Sequence, residues 1–369
     1  MVNMLSNFKF SKGLIFNSEL QIFIIPVTSF LISHNLLVNS FTKEELVDFY
    51  DTQSLDDTYF LYQYFSRFTK NKKVLIENVL NYLSSMGSGN IKLIKLTNNK
   101  IIFTESNLKL SKLYFDMFGE NPKIPIGYFV AALLKNYLSF VYGREIKIKL
   151  LKLSKFYQLE CAVLGEEFNF NSDKIYDLES SNSKPTPWIK ELIIKKKIIS
   201  EENILGINGI HSIGTPLFSY FKILEKVFEK NFDSLVSLTS IFGDKFINIL
   251  DIKGVKTPKE KFNYICLSWG LVGYGKLEII DLEKGCFKVH SNIYSKYYKY
   301  FTKDFIKKYN IFSFSSLKGS YDFSFNINTV SNLDLNESII CFDKLSDDRV
   351  VSEKVKEIQK LVLIKDLIK

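Results

Sequence analysis

Three histidines are the first places to look for acid–base chemistry in this chain of 369 residues. His34 lies in a long apolar stretch, which favours a buried core position over a catalytic one. His211 adjoins a glycine-rich turn, and His290 precedes a Ser-Asn pair, where helix capping is favoured over ligand binding. None of the three occupies a nucleophile elbow or an HExxH motif. We therefore predict no catalytic residues, which favours a protein without enzymatic activity.

The four cysteines are poor candidates for a metal site. Cys161, Cys266, Cys286 and Cys341 form no CxxC pair. Cys286 and His290 are four residues apart on a predicted strand, about 13 Å, which is too far for one shared zinc. Cys161 and Cys341 occupy matching places on the last predicted strand of two similar segments and could meet only across them. We expect reduced, buried thiols, no zinc and no other metal.

Two glycine pairs resemble phosphate-binding loops only superficially. Gly87-Ser-Gly89 and Gly273-Tyr-Gly275 each precede a predicted strand. A dinucleotide-binding loop must instead follow a strand and open a helix. These glycines are therefore predicted to end helices and form turns.

A lysine- and tyrosine-rich predicted helix, residues 293–309, is the one candidate surface for a polyanion or nucleic acid. Aromatic rings between lysines are typical of single-strand binding platforms. The other interpretation is an amphipathic helix with its rings in the core, which the leucine-rich matching stretch at residues 108–115 favours. Nucleic-acid binding would use Lys296, Lys299, Lys303, Lys307, Lys308, Tyr297 and Tyr300.

Composition limits the choice of partner only weakly. The net charge is +9, but only Arg67, Arg144 and Arg349 among 49 basic residues are arginine. Proteins that read bases or clamp phosphates usually depend on arginine. The apolar fraction of 46% is enough for a sizeable core.

The stretch 20–42 carries no formal charge and is long enough to span a bilayer. It nevertheless contains several groups that are costly in hydrocarbon: Gln21, Pro26, His34, Asn35 and Asn39. A buried strand followed by a helix is therefore predicted instead of a transmembrane segment. The N-terminal residues show no pattern of a secretory leader, so a cytoplasmic location is expected.

The elements that must position these residues occur twice. Residues 86–107 and 272–292 both read as GxG, strand, tight turn, strand and Ser-Asn. Upstream, Pro26 and Pro216 each stand at a predicted strand-to-helix junction. The apolar spacing predicts helices over residues 43–50, 57–68, 73–85 and 124–143 in the first copy, and over 218–229, 234–250, 259–269 and 312–318 in the second. Closing hairpins are predicted over residues 145–151 with 157–164, and over 321–329 with 338–343.

The predicted fold is therefore α+β, with two tandem copies of a small module. Each copy should contain a mostly antiparallel sheet with helices packed on it. The expected boundaries are a first module over residues 1–165, a linker with a helical segment (189–199) over 166–199, a second module over 200–345, and a C-terminal amphipathic helix over 346–369.

This order of elements resembles the 4-vinyl reductase domain family, which is related in fold to TRAPP vesicle-tethering subunits and haem nitric-oxide-binding sensors. The resemblance covers most of the chain. It implies a non-enzymatic sensor or scaffold that binds a small apolar ligand or a protein partner, with self-association as one form of that partner. Family members end in a strand pair with two cysteines, whereas Leu153 and Leu333 stand where the first cysteine would be. That departure argues against zinc in both copies, and the resemblance identifies no cofactor-binding residue.

Overall fold

The structure is a computed structural model that describes residues 8–11, 14–18, 20–105, 109–121, 124–125, 127–153, 156–170, 198–201, 204–207, 210–252, 257, 276–281, 284–290, 300–321, 323–332 and 337–344. Helices and antiparallel strands are mixed along the chain, so the predicted α+β class is confirmed.

The first half alternates short strands with a run of helices. Its elements are β1 (Phe8–Ser11), β2 (Leu14–Asn17), β3 (Leu20–Pro26), α1 (Val27–Ser40), α2 (Lys43–Gln53), α3 (Leu55–Ser66), α4 (Lys72–Ser85), β4 (Ile91–Leu96), β5 (Lys100–Glu105), α5 (Lys109–Phe118), α6 (Gly127–Tyr142), β6 (Arg144–Leu153) and β7 (Phe156–Glu167).

The second half follows a similar order. Its described elements are β8 (Ile198–Glu201), β9 (Ile204–Ile207), β10 (Ile210–Pro216), α7 (Leu217–Ile252), β11 (Lys276–Asp281), β12 (Cys286–His290), α8 (Lys303–Tyr321), β13 (Phe323–Asn332) and β14 (Glu337–Lys344). Helix α7 leaves helical geometry at Asn231, between the two helices predicted over 218–229 and 234–250.

Local sequence explains where several helices begin and end. Thr42 and Glu45 form a reciprocal capping box at the start of α2, and the Asn71 side chain accepts the first free amides of α4. Gly87 ends α4 with a φ of 78°, a left-handed conformation that glycine adopts without strain. The predicted role of the first GxG pair as a helix end is therefore confirmed, while residues 273–275 lie outside the described part of the chain.

The uncharged stretch 20–42 folds as β3 followed by α1, with Pro26 at the junction. Its apolar side chains are buried in the first half of the protein, Leu31 and Leu37 completely. None of the helices in the described part of the chain has both the length and the apolar character that a membrane crossing requires.

A six-stranded sheet joins the entry strands of both predicted copies in the order β1-β2-β3-β10-β9-β8. Strands β3 and β10 are antiparallel, with Ile24 opposite Gly214. When Pro26 is aligned with Pro216, Ile24 and Gly214 are the same position of the repeat. The predicted modules had kept these two strands apart, because sequence spacing shows which residues form strands but not which strands pair.

Two four-stranded sheets have the same arrangement. Their orders are β4-β5-β7-β6 and β11-β12-β14-β13, and each contains two successive hairpins that correspond in sequence order. In both, one of the two outer strands breaks register at a single isoleucine, Ile94 in β4 and Ile280 in β11. These similarities agree with a duplication, and a common origin of the two halves stays a prediction.

The chain divides into two units, residues 1–10 with 16–223 and residues 11–15 with 224–369. The division at residue 223 comes later than the predicted start of the second module at 200, since β8, β9 and β10 belong to the sheet of β3. Strand β8 begins at Ile198, where the linker helix was predicted to continue to Ile199. Residues 171–197 and the predicted C-terminal helix at 346–369 lie outside the described residues.

Helix α6 is the centre of the first unit. It packs on β6 and β7 on one side and on α2, α3 and α4 on the other. Most of its side chains are buried, including Leu133, Tyr137 and Leu138 completely. The surroundings of α6 are therefore where an enclosed site in this unit would have to lie.

Candidate functional site

A small cavity lies between α6 and the sheet β4-β5-β7-β6. The side chains of its wall are all apolar, and the wall consists of Ile91, Phe103, Gly127, Val130, Ala131, Leu134, Leu150 and Leu159. The volume open to the centre of a water-sized molecule inside the cavity is about 20 Å³. A single water molecule needs about 10–15 Å³ on the same measure. The small residues Gly127 and Ala131 leave this space on successive turns of α6. As it stands, the cavity fits only a very small apolar molecule.

His34 of α1 is fully enclosed beside Tyr50 of α2 and Tyr114 of α5. It is 2% exposed, and its Nε2 lies 3.1 Å from the carbonyl oxygen of Ile124 while its Nδ1 lies 2.8 Å from the Tyr50 hydroxyl. A carbonyl oxygen can only accept, so Nε2 carries the proton and Nδ1 accepts from Tyr50. Burial lowers the pKa of His34 to about 4, although the bond to Ile124 opposes this shift. This ring is a satisfied core histidine, as its apolar sequence context predicted.

The tyrosines around His34 are held in their neutral form. Burial raises the pKa of Tyr50 above its usual range, with a smaller contribution from Tyr114. Burial also raises the pKa of Tyr114 to about 12, with the charge of Glu120 adding to it. The Tyr114 hydroxyl donates to Asn35 Oδ1 at 2.5 Å. These groups form a structural hydrogen-bond cluster, with neither the charge nor the access that a general base requires.

A second polar cluster joins α2 to α6 around Asp51. Lys135 Nζ donates to Asp51 Oδ2 at 2.5 Å, and Asn136 donates to the Asp51 carbonyl oxygen at 2.7 Å. The Tyr128 hydroxyl lies 3.4 Å from Asp51 Oδ1. Burial is the larger cause that raises the pKa of this phenol, and the charge of Asp51 adds to it. The lysine–aspartate pair is partly exposed. Its contacts fix the helices against each other and provide no free nucleophile.

Asp57 connects α3 to the start of α7. Its side chain is completely buried, and Oδ2 accepts from both the backbone N–H and the hydroxyl of Ser219. Asp56 lies beside it, 3.5 Å from Lys222 Nζ. A carboxylate at a helix N-terminus is stabilised by the free amides and the helix dipole. This carboxylate is therefore a helix cap, which sequence reasoning missed because its partner is 162 residues away.

In the described part of the lysine- and tyrosine-rich segment, residues 300–309, the predicted helix is present from Lys303 onwards. Thr302 Oγ1 caps this helix by accepting from the Phe305 amide at 3.1 Å, and α8 continues through the predicted 312–318 helix to Tyr321. Phe305 and Tyr309 are buried, and the Phe305 ring lies 5.7 Å from that of Phe228. The rings of Phe305 and Tyr309 therefore face the core.

The candidate nucleic-acid residues are only partly described. Lys303 and Lys307 are exposed, while Lys308 is partly buried and lies 2.9 Å from Asp304. Tyr300 is half-buried. The remaining candidates, Lys296, Tyr297 and Lys299, lie outside the described residues. Nucleic-acid binding through this segment stays a prediction.

The other two histidines are on strands. His211 pairs with Gly206 in the β10–β9 ladder, and its side chain lies outside the described part. His290 is at the end of β12, with Nε2 at 2.6 Å from Glu278 Oε2 on the neighbouring strand. The predicted capping role was inferred from the following Ser-Asn pair, which lies outside the described residues. The contact that the structure does describe for this ring is with a carboxylate on the same sheet.

The expectation of reduced cysteines is wrong for one pair. Cys286 of β12 and Cys341 of β14 lie directly opposite each other and form a disulfide. Cys161 is a buried free thiol, and burial raises its pKa to about 12. Cys266 lies outside the described residues. Sequence spacing could not reveal the disulfide because the two cysteines are 55 residues apart.

The predicted equivalence of Cys161 and Cys341 is also wrong, by one residue. Cys161 is completely buried and lies opposite Ile101, whereas Cys341 is half-exposed and lies next to the buried Ile340. When the two bulged outer strands are matched, Cys341 corresponds to Glu160. A shift of one residue moves a side chain to the other face of a sheet. The disulfide is therefore on the outer face, and Cys161 is in the core of the first sheet.

A strongly basic surface on the first sheet was not anticipated from the sequence. Exposed lysines alternate with buried or half-buried apolar residues on strands of the sheet β4-β5-β7-β6 and share its outer face: Lys92, Lys95, Lys100, Lys147 and Lys149. We call these five residues the lysine face. They come from two separate stretches of the sequence, residues 92–100 and 147–149, which the strand order brings onto one face.

Neither unit provides a metal site within the described residues, where no group of three or more His, Cys, Asp and Glu side chains is placed to hold an ion. Comparison of the chain with protein-family models and with curated proteins gives no match. The resemblance to the 4-vinyl reductase domain family therefore stays a prediction.

Proposed function

We propose that this protein is a non-enzymatic scaffold that binds protein partners through β4 and β11, one outer strand of each four-stranded sheet. The observation that carries the proposal is a pair of exposed isoleucines at matching register breaks. Ile94 is 60% exposed and Ile280 is 51% exposed. Single exposed apolar residues are common. The same residue type at the same bulge in both sheets is not expected from randomly placed exposed residues.

Three acid–base clusters of the first unit support a binding role. His34 and its tyrosines are enclosed and neutral, and Asp57 caps a helix. The Asp51–Lys135 pair joins two helices. A scaffold requires these groups to hold a rigid surface, and it requires no accessible nucleophile.

A photocrosslinking experiment tests the proposal. Benzoylphenylalanine would replace Ile94 or Ile280 in the full chain within its native host, and Lys73 on the exposed side of α4 would carry the same group as a control. We expect one defined protein to be crosslinked from Ile94 or Ile280 and not from Lys73. Equal crosslinking from all three positions would contradict the proposal.

A second candidate function is the binding of a very small apolar ligand beside α6, which the apolar side chains of the cavity wall favour. The test compares Ala131→Val with Ala132→Val. Both alanines are buried in α6, but only Ala131 lines the cavity. Because xenon is a spherical apolar probe, the shift of methyl NMR signals under xenon should disappear in Ala131→Val and persist in Ala132→Val. Identical xenon responses in the two variants would exclude this candidate.

A further inference from the structure

The lysine face has a defined geometry. The strand registers place the outward side chains in three rows, which read Lys100–Ala162–Lys147, then Lys95–Ile102–Glu160–Lys149, then Lys92–Thr104–Gln158–Leu151. Neighbouring strands are about 4.8 Å apart, and alternate residues on one strand are about 6.8 Å apart. The lysines therefore surround a patch roughly 14 Å wide.

This face has almost no internal neutralisation. Its three rows contain five lysines and one acid, Glu160. Lys100 Nζ lies 3.0 Å from Glu160. The hydrogen bond from Lys100 is the main cause that holds the pKa of Glu160 below its usual value, with the charge of Lys149 contributing in the same direction. The other exposed acids of the β6–β7 hairpin, Glu145, Glu166 and Glu167, lie beyond the row of Lys100 and Lys147.

We propose that the lysine face binds a segment of a partner protein in which acidic residues flank apolar ones. This inference rests on the proposed scaffold function and assigns a site and a chemical class to the partner. Its basis is charge complementarity, because a face with five lysines and one acid attracts carboxylates and repels basic segments.

The centre of the face favours an apolar element in the partner. Ile102 and Ala162 lie between the lysines of β4 and those of β6, and Ala162 is exposed. Lys147 and Lys149 are two residues apart on one strand, which equals the spacing of carboxylates at alternate positions of an extended segment. Such a segment can place its acids on the lysines and its apolar side chains on Ile102 and Ala162.

The same residues argue against nucleic acid as the partner. The three rows contain no aromatic side chain on which a base could stack. The arginine nearest to them in sequence, Arg144, uses its guanidinium to donate to the Gly165 carbonyl oxygen at 2.6 Å. Lysines without aromatic rings for stacking or arginines for bidentate contacts attract any anion. The apolar centre of the face is therefore the feature that favours a protein segment.

The second sheet provides a natural contrast. The matching face there mixes both signs in its described side chains, with Lys288 and His290 beside Glu278 and Asp281. Glu278 is 2.6 Å from His290. The basic character therefore belongs to the first sheet and does not follow from the shared strand order.

Fluorescence anisotropy with the full chain tests this inference. The probe is a fluorescein-labelled peptide of alternating glutamate and valine, and a peptide of alternating glutamine and valine is its uncharged control. Two variants reverse charge on the lysine face, Lys147→Glu with Lys149→Glu, and Lys92→Glu with Lys95→Glu. The control variant, Lys70→Glu with Lys73→Glu, makes the same change in net charge at exposed positions outside the sheet. Circular dichroism verifies that each variant folds.

We expect binding of the acidic peptide that weakens as salt rises, and a loss of at least about tenfold in affinity in each lysine-face variant. The control variant should lose less than about twofold. Equal losses in all variants, or tight binding of the uncharged peptide, would overturn the inference. So would polyuridylate that displaces the peptide at lower concentration. If the peptide result is negative while Ile94 still crosslinks a partner, the inference fails and the scaffold function stands.

Discussion

The amide of Gly214 in β10 donates to the carbonyl oxygen of Met86, at the end of α4, across 2.7 Å. The methionine side chain fills the space where a Cβ would be, because a methyl group on Gly214 would lie 2.7 Å from Met86 Cε and 2.8 Å from Sδ. This glycine therefore permits a close approach of the α4 terminus to the six-stranded sheet.

Replacing Gly214 with alanine should destabilise the protein by about 1–3 kcal/mol, because the buried Met86 must move. Gly165→Ala is the matched control, since nothing lies within 4 Å of its Cβ position. Urea unfolding measures both. If Met86→Ala is added to Gly214→Ala, the combined loss should be smaller than the sum of the single losses. Equal stability of Gly214→Ala and Gly165→Ala would show that Met86 is not tightly packed against Gly214.

Asp57→Ala should cost about 2–4 kcal/mol of unfolding free energy, because the Ser219 amide and hydroxyl then lose a buried charged acceptor. Asp48→Ala, at an exposed position of α2, should change stability by less than about 0.5 kcal/mol. Chemical denaturation followed by circular dichroism compares the two. A loss in Asp57→Ala no larger than in Asp48→Ala would contradict the capping role.

Stability should fall as the pH is lowered from 6.5 towards 4. The pKa of His34 is about 4 in the folded protein and 6.5 unfolded, so the unfolded chain takes up the proton first. The contribution of neutral His34 is complete above pH 6.5 and is lost towards pH 4, by about 3 kcal/mol. His34→Gln should flatten this part of the curve, whereas His290→Gln should retain it. A curve for His34→Gln parallel to that of the unmodified chain would refute the assignment.

Alkylation of the denatured chain without reductant should modify Cys161 and leave Cys286 and Cys341 unmodified until reductant is added. Peptide mass spectrometry gives this result directly. Breaking the bond should lower stability by up to about 4 kcal/mol through the freedom regained by the unfolded chain. The Cys286→Ser variant should show this loss of stability even without reductant. Adding reductant should not lower the stability of the variant further. Full alkylation of Cys341 before reduction would show that no bond exists.

Much of the local structure could be predicted because its signals are local. The helices α2, α3 and α4 were predicted within a few residues, since apolar spacing and end signals such as Asn71 lie inside each segment. The strand before Pro26 and the helix after it were predicted for the same reason.

The remainder depends on pairs that are distant along the chain. Sequence spacing shows neither the cap from Asp57 to Ser219 nor the bond from Cys286 to Cys341. The one-residue error that equated Cys161 with Cys341 has a physical cause. The sequence alignment of the two copies crossed a turn and a bulge, where it slipped by one residue. Because side chains alternate between the two faces of a strand, an error of one residue assigns a side chain to the wrong face. The lysine face was missed because it exists only once four strands are placed in order.

The breaks in register at Ile94 and Ile280 also affect how the protein behaves in concentrated solution. An outer strand with regular pairing groups is a template on which further strands, and eventually fibres, can grow. The extra residue in β4 and in β11 interrupts that template. An incoming strand would need its own irregularity at the same place. The protein can therefore expose an apolar side chain on β4 and on β11 while the irregular register there disfavours the addition of a further strand.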